Sequence, residues 1–252
     1  MSDLENANSP VSVSPRPLRT WDFMETAFVC LIAYGVFTLT SGLALTIMLA
    51  MHDGASTLSP VQLQALAMQG RWHGAALTIA SPLAIAVLWI AIRMARREFA
   101  EYLALNWPSA GELMRALAIM AIVLMAEGVV GSVLGGEQTS ENPYLSVKGA
   151  GGLLILLIGS CIAGPIMEEF IVRGFMFHGW SQSFLGPIGA IALTSAVWAM
   201  THVQYDWFGR LEIFVMGLVL GHFRWRSNST WLTVMVHSAI NTFLFFLMGP
   251  YT

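Results

Sequence analysis

The sequence predicts an all-α fold, a polytopic transmembrane helix bundle of about seven spans. Three observations predict it. Of 252 residues, 56% are hydrophobic and only 11% are charged, against about 25% charged in an ordinary soluble domain. Mean hydropathy is +0.66. Apolar stretches long enough to fill a bilayer recur along the chain, separated by short polar loops. So few charges cannot cover a soluble surface, which excludes a soluble globular enzyme and a disordered chain. A net charge of −3 and a single lysine, Lys148, leave no basic patch for nucleic acid. Cys30 and Cys161 both lie in apolar runs, so no disulfide framework is expected.

Met1–Thr20 mixes Asp3, Glu5, prolines and serines with no basic stretch leading into an apolar core. It is expected to be a flexible cytoplasmic tail rather than a secretory signal. Residues 21–252 form the integral membrane domain. A span needs about 20 mainly apolar residues, and lipid, which offers no hydrogen-bond partners, forces each span to be helical. The candidates are Phe23–Met51, Ala75–Met94, Leu113–Leu134, Gly152–Phe177, Pro187–Thr201, Leu211–Phe223 and Trp231–Met248. The fifth and sixth are short and interrupted by polar residues, so six to eight spans bracket the count. Ser59 and Pro60 open a short interfacial helix within Ser59–Gly70. Glu98–Trp107 alternates apolar and charged residues and is expected on the membrane surface. Trp21, Trp72, Trp107, Trp180 and Trp207 fit aromatic belts, with His178 and His222 beside them at the interface.

Basic residues set the orientation. Arg16 and Arg19, then Arg93, Arg96, Arg97 and Arg115, then Arg224 and Arg226 fall on one side, against Arg71, Lys148 and Arg210 on the other. With seven spans this puts the N-terminus in the cytoplasm, the C-terminus outside, and the chain in the cell (inner, or plasma) membrane.

Ionisable residues at bilayer depth carry the functional signal, because each costs several kcal/mol to insert, about 2.5–3.5 for Asp, Lys or Arg. Glu169 and Arg173 are four apart and share a helix face. Glu168 is rotated about 100° away and lacks this local cation, which suits a general base or a metal ligand. The other reading is one buried ion network that locks helix packing. Trp198 and His202 share a face, as do His237 and Asn241. Each histidine alone reads sooner as a core residue hydrogen-bonded to a neighbouring helix. Together with the glutamates they could converge from three helices on one water-filled point, opening toward the cytoplasm. Glu127 interrupts the third span and either lines the same cavity or pairs with a donor between helices.

The ordered series Glu168-Glu169-x-x-x-Arg173, Trp198-x-x-x-His202 and His237-x-x-x-Asn241 resembles the CPBP family of CAAX-protease and bacteriocin-processing membrane proteins, including the type II CAAX prenyl endopeptidases. The resemblance runs from about 152 to 241. Trp198 stands where the family usually has Phe. The resemblance implies an integral membrane endopeptidase acting on membrane-associated or lipidated peptides, with Glu168, His202, His237 and Asn241 catalytic and Glu169, Arg173 and Trp198 supporting. It leaves two chemistries open: water activated by Glu168 alone, or zinc held by Glu168, His202 and His237 with an open fourth position. The rival functions are a non-catalytic membrane scaffold of the same family and a proton-coupled transporter. The bilayer and a peptide substrate are the expected partners; nothing in the sequence speaks to oligomeric state.

Overall fold

The computed structural model describes residues 20–52, 57–67, 69–134 and 152–248, and there the chain is helical. The expected tail, Lys148, Arg16 and Arg19 lie outside the described residues. Helix α1 (Phe23–Ala50) opens on Asp22, whose side chain accepts from Glu25 N while the Glu25 carboxylate accepts from Asp22 N. This reciprocal cap satisfies two amides that lipid cannot. A short helix α2 (Pro60–Ala67) follows, as expected for an interfacial piece. Then come α3 (Gly70–Met94), the single turn α4 (Phe99–Tyr102) and α5 (Ala110–Leu134). A composite helix α6 (Gly152–Ser181) contains two π-helical stretches, Ile158–Ala163 and Phe170–Met176. The chain ends with α7 (Gly186–Thr201), α8 (Trp207–Ser227) and α9 (Thr230–Met248).

Among the described residues, α1, α3, α5, α6 and α9 are long and apolar enough to cross a membrane. The remaining two expected spans are α7, only 16 residues long, and α8, which runs past the expected Leu211–Phe223 through Arg210 at one end and Arg224 and Arg226 at the other. The protein is a multi-pass helical membrane protein.

One end of the bundle is tied by polar contacts. Trp21 Nε1 donates to Ala91 O, Trp180 Nε1 to Phe23 O, and Asn106 Nδ2 to Asn228 O. Thr230 N donates to Ala104 O, and Trp107 stacks on Trp231 at 5.1 Å. These contacts gather the start of α1, the end of α3, the loop after α4, the end of α6, the end of α8 and the start of α9.

Two expectations need correction here. The Glu98–Trp107 stretch does not merely lie on the surface: Tyr102, Leu103 and Ala104 are buried in the core. The reason is aromatic. Tyr102 packs on His178 at 4.2 Å and on Phe175 at 5.3 Å, and Leu103 fills the space over Gly174. Ala104 takes a left-handed conformation (φ 50°) to turn the chain out again. Trp180 likewise is no interfacial anchor but is buried, against Phe23 at 5.1 Å.

The approach of α3 to α6 depends on absent side chains. A Cβ on Gly74 would stand 2.5 Å from Ile155 O, and one on Gly159 would strike Gly74 O. Such small-residue crossings are the usual way membrane helices pack closely. Gly74→Ala must push backbone against backbone, so it is expected to cost about 1–3 kcal/mol and lower the melting temperature of the solubilised protein. Gly35→Ala, with nothing within 4 Å, should leave that temperature unchanged in the same measurement.

Candidate active site

The three motifs meet around one indole. Trp198, on α7, is buried. Its Nε1 donates to Glu168 Oε2 at 2.7 Å. Arg173 lies over its ring at 4.3 Å. His202 and His237 stand edge-on to it at 5.1 and 5.3 Å, with interplanar angles of 82° and 79°. A desolvated cation–π contact of this kind is worth about 2 kcal/mol.

The two glutamates separate as helix geometry requires. Glu169 is fully buried and its Oε1 accepts from Arg173 Nη1 at 3.0 Å and from His237 Nδ1 at 2.9 Å. Arg173 also donates through Nη2 to Gly217 O at 3.3 Å. That approach needs Gly217, where an added Cβ would meet Ser195 Cβ at 2.9 Å. Glu168 is half-buried and makes no ion pair among the described residues. It is not partnerless, however: the expectation of a carboxylate without a fixed contact is corrected by the Trp198 donor. The packing-network reading and the chemical reading are therefore divided between neighbours. Glu169, Arg173 and His237 form the network, and Glu168 faces the space beyond it.

His202 caps α7, and its Nδ1 donates to Trp198 O at 2.8 Å. With Nδ1–H committed, Nε2 of the neutral ring is an acceptor. Arg210 fastens the turn that carries it: Nε donates to Tyr205 O at 3.0 Å and to His202 O at 3.3 Å, and Nη2 to Val203 O at 3.2 Å. His202 and Glu168 stand beside the same indole. His237 Nδ1 is spent on Glu169, leaving Nε2. Asn241 Nδ2 donates to Ser160 O at 2.9 Å, so one of its amide protons holds α9 to α6 while the other and the carbonyl remain.

Two further groups bear on Glu168 and belong to no motif. Tyr34 on α1 has a buried hydroxyl without a hydrogen-bond partner among the described residues, and Glu168 is the foremost charge acting on it. Tyr205 lies 6.2 Å from the His202 ring. Burial first, and then the Glu168 carboxylate, hold its phenol above the ordinary pKa. Tyr34 had no sequence signal, because a tyrosine in a long apolar helix looks like packing. Tyr205, three residues after His202, allows by its place in the sequence either a cavity-lining or a helix-end reading. Glu127 lies outside this group: its nearest charge is Glu212 on α8, and its Oε1 is buried without a partner among the described residues.

The donor set does not gather as a metal site. Among the described residues, no three His, Cys, Asp or Glu side chains stand together closely enough to hold a metal ion. Glu168 is turned to Trp198 and His237 to Glu169. Both cysteines are free and buried, as expected from their apolar setting.

Removing the cation at the centre should be costly. Arg173→Ala leaves Glu169 buried with half its partners, a loss of about 3–5 kcal/mol. It is expected to depress yield and melting temperature sharply. Trp198→Phe keeps a ring beneath the guanidinium and should depress them much less; equal losses in the two variants would contradict the ion network.

Residues 150–243 match the family described as Type II CAAX prenyl endopeptidase Rce1-like. A Bacillus subtilis (strain 168) protein named "Putative membrane peptidase YdiL" is 27% identical over 137 residues, covering 51% of this chain and 53% of the relative. The chain thus spans about half the length of the curated relative it matches. No solved structure matches the chain. The resemblance read from the three motifs is borne out over the segment that contains them: in residues 150–243 this protein is similar to the Rce1-like type II CAAX prenyl endopeptidases.

Proposed function

We propose that this protein is an intramembrane endopeptidase that cleaves membrane-associated or lipidated peptides with water activated by Glu168. One observation carries the reading: Glu168, half-buried and free of any ion pair among the described residues, shares the Trp198 indole with His202. A neighbouring carboxylate, Glu169, absorbs the arginine. A carboxylate kept apart from its local cation is available to take a proton.

In the proposed reaction, water bonds to Glu168 and to His202 Nε2. Glu168 takes one proton as the water oxygen attacks the peptide carbonyl carbon. The carbonyl oxygen gains negative charge and is met by the free Asn241 N–H and by His237 Nε2–H when that ring is protonated. Such donors are worth about 2.7–4 kcal/mol each in a soluble protease. Glu168 then passes its proton to the departing amine as the C–N bond breaks. Trp198, Arg173 and Glu169 hold the acceptors in place. The proposal places the chain in the cell membrane with its N-terminus in the cytoplasm, a placement supported by the arginines at the tied end of the bundle.

Purified full-length protein incubated with a lipidated C-terminal peptide and with a leader-peptide reporter tests the reading. Glu168→Gln keeps an oxygen for Trp198, so its melting temperature should match the wild type while cleavage falls at least about a hundredfold. Cleavage at the wild-type rate by Glu168→Gln or by His202→Ala would refute the assignment. Ion flux in proteoliposomes without cleavage would favour the transporter, and neither activity the scaffold.

The metal question has a separate measurement. Because no three His, Cys, Asp or Glu side chains among the described residues stand close enough to hold a metal ion, exhaustive chelation is expected to leave the cleavage rate intact. Loss of activity restored by zinc would show that Glu168, His202 and His237 close into a ligand set during turnover.

A further inference from the structure

We infer that the tied end of the bundle carries a seat for an anionic phospholipid between α5, α8 and α9, with Arg115 and Arg226 holding the phosphate. A cavity of about 310 Å³ opens there, lined by Glu112, Arg115, Ala116, Ile119, His222, Phe223, Arg226, Ser227 and Leu232. Its floor is apolar: Ala116, Phe223 and Leu232 are buried. Its rim is basic and exposed, with Arg115 near the start of α5 and Arg226 in the last turn of α8.

The cations on that rim are paired with no anion by a salt bridge among the described residues, and Arg226 meets only the Trp225 ring at 5.9 Å. Among the described residues neither Arg115 nor Arg226 makes a hydrogen bond or a salt bridge. The acidic liner, Glu112, is already engaged: its carboxylate accepts from Ser109 N at 2.8 Å and from Ser109 Oγ at 2.7 Å, capping α5. Arg115 is its nearest cation, yet two guanidiniums face this single capped carboxylate. By contrast Arg224, two residues earlier on α8, is buried and donates to Arg173 O and Asn228 Oδ1. The unspent pair therefore offers two fork-shaped donors to an anion, the geometry that suits phosphate.

Depth selects the occupant. The cavity runs from the helix ends at Ser227 and Leu232 inward to Ile119, nine residues into α5, or about 14 Å at the α-helical rise. The stacked pair Trp107–Trp231 marks the same end, where aromatic rings sit at the headgroup level. A headgroup phosphate at the rim with an acyl chain laid over Phe223 and Ile119 satisfies both surfaces. A soluble phosphate would leave the apolar floor uncovered. Basic pockets between spans at the cytoplasmic side are a recurrent form of lipid recognition.

The test uses the full chain, delipidated in a neutral detergent and then supplied with phosphatidylglycerol, phosphatidylcholine, or sn-glycerol 3-phosphate. Bound lipid is counted by native mass spectrometry and melting temperature is followed in parallel. Phosphatidylglycerol is expected to be retained and to raise the melting temperature, and the other two probes to do neither. Arg115→Gln with Arg226→Gln should weaken retention about thirtyfold, from about 1 kcal/mol for each basic side chain at the membrane surface. Arg115→Lys with Arg226→Lys should restore part of it, which separates lost charge from lost fold. Arg93→Gln, at the same end but paired with Glu98, should retain lipid as the wild type does. Equal retention of phosphatidylcholine, an unchanged response in the double glutamine variant, or stabilisation by glycerol phosphate alone would overturn the inference.

Discussion

A carboxylate with no exposure to solvent, set inside a lipid-embedded bundle, dictates what surrounds it. Glu169 cannot keep its charge there without donors, and its Oε1 has two: Arg173 from its own helix and His237 from α9. Desolvating such a set is expensive, and its value lies in what it specifies. His237 can satisfy Glu169 only if α6 and α9 are in register. Arg173 can reach Gly217 O only if α8 lies close, and it can rest on Trp198 only if α7 does. The carboxylate and its guanidinium together thereby fix four helices against one another, which a purely apolar interface would leave free to slide.

The Trp198 ring turns this fixation into a site. Each part of the indole is used: the face by a cation, the N–H by Glu168, the edges by two imidazoles. The ion network and the group proposed to do chemistry thus rest on one rigid aromatic ring, the first at its face and the second at its N–H. That separation lets adjacent residues in the sequence hold different jobs. Glu169 is sealed in protein, and Glu168, one residue earlier, is left half-open.

Much of this was legible in the sequence, and for identifiable reasons. The long spans were readable because lipid imposes both length and helicity. The ends of α7 fell within a residue of their expected places, while α8 runs four residues beyond the expected Leu211–Phe223 at each end, because its charged ends thin the hydropathy without breaking the helix. The Glu169–Arg173 pair followed from spacing alone. What escaped notice depended on partners distant along the chain. No local pattern tells that Tyr102 and Leu103 fold inward, since their places are made by Phe175, His178 and Gly174. His237 was open to either a core or a site reading, because nothing near it in sequence reveals Glu169 as its partner. Asn241 read as a substrate-facing amide, whereas one of its protons goes to Ser160 O. The unpartnered Tyr34 hydroxyl was invisible for the same reason, being brought to Glu168 only by packing of α1.

The wide turns of α6 have a consequence for how such a chain can change over time. Ser160 lies in the first π-helical stretch and Arg173 in the second, and the carbonyl of each is taken by a side chain from another helix, Asn241 and Arg224. Backbone oxygens that leave the regular ladder inside a membrane need substitutes of this sort. Losing one residue from either stretch would restore a tighter coil and strand the amide or the guanidinium in hydrocarbon. Insertions and deletions in α6 are therefore coupled to positions 241 and 224, and lineages that shed a wide turn should shed its distant donor as well.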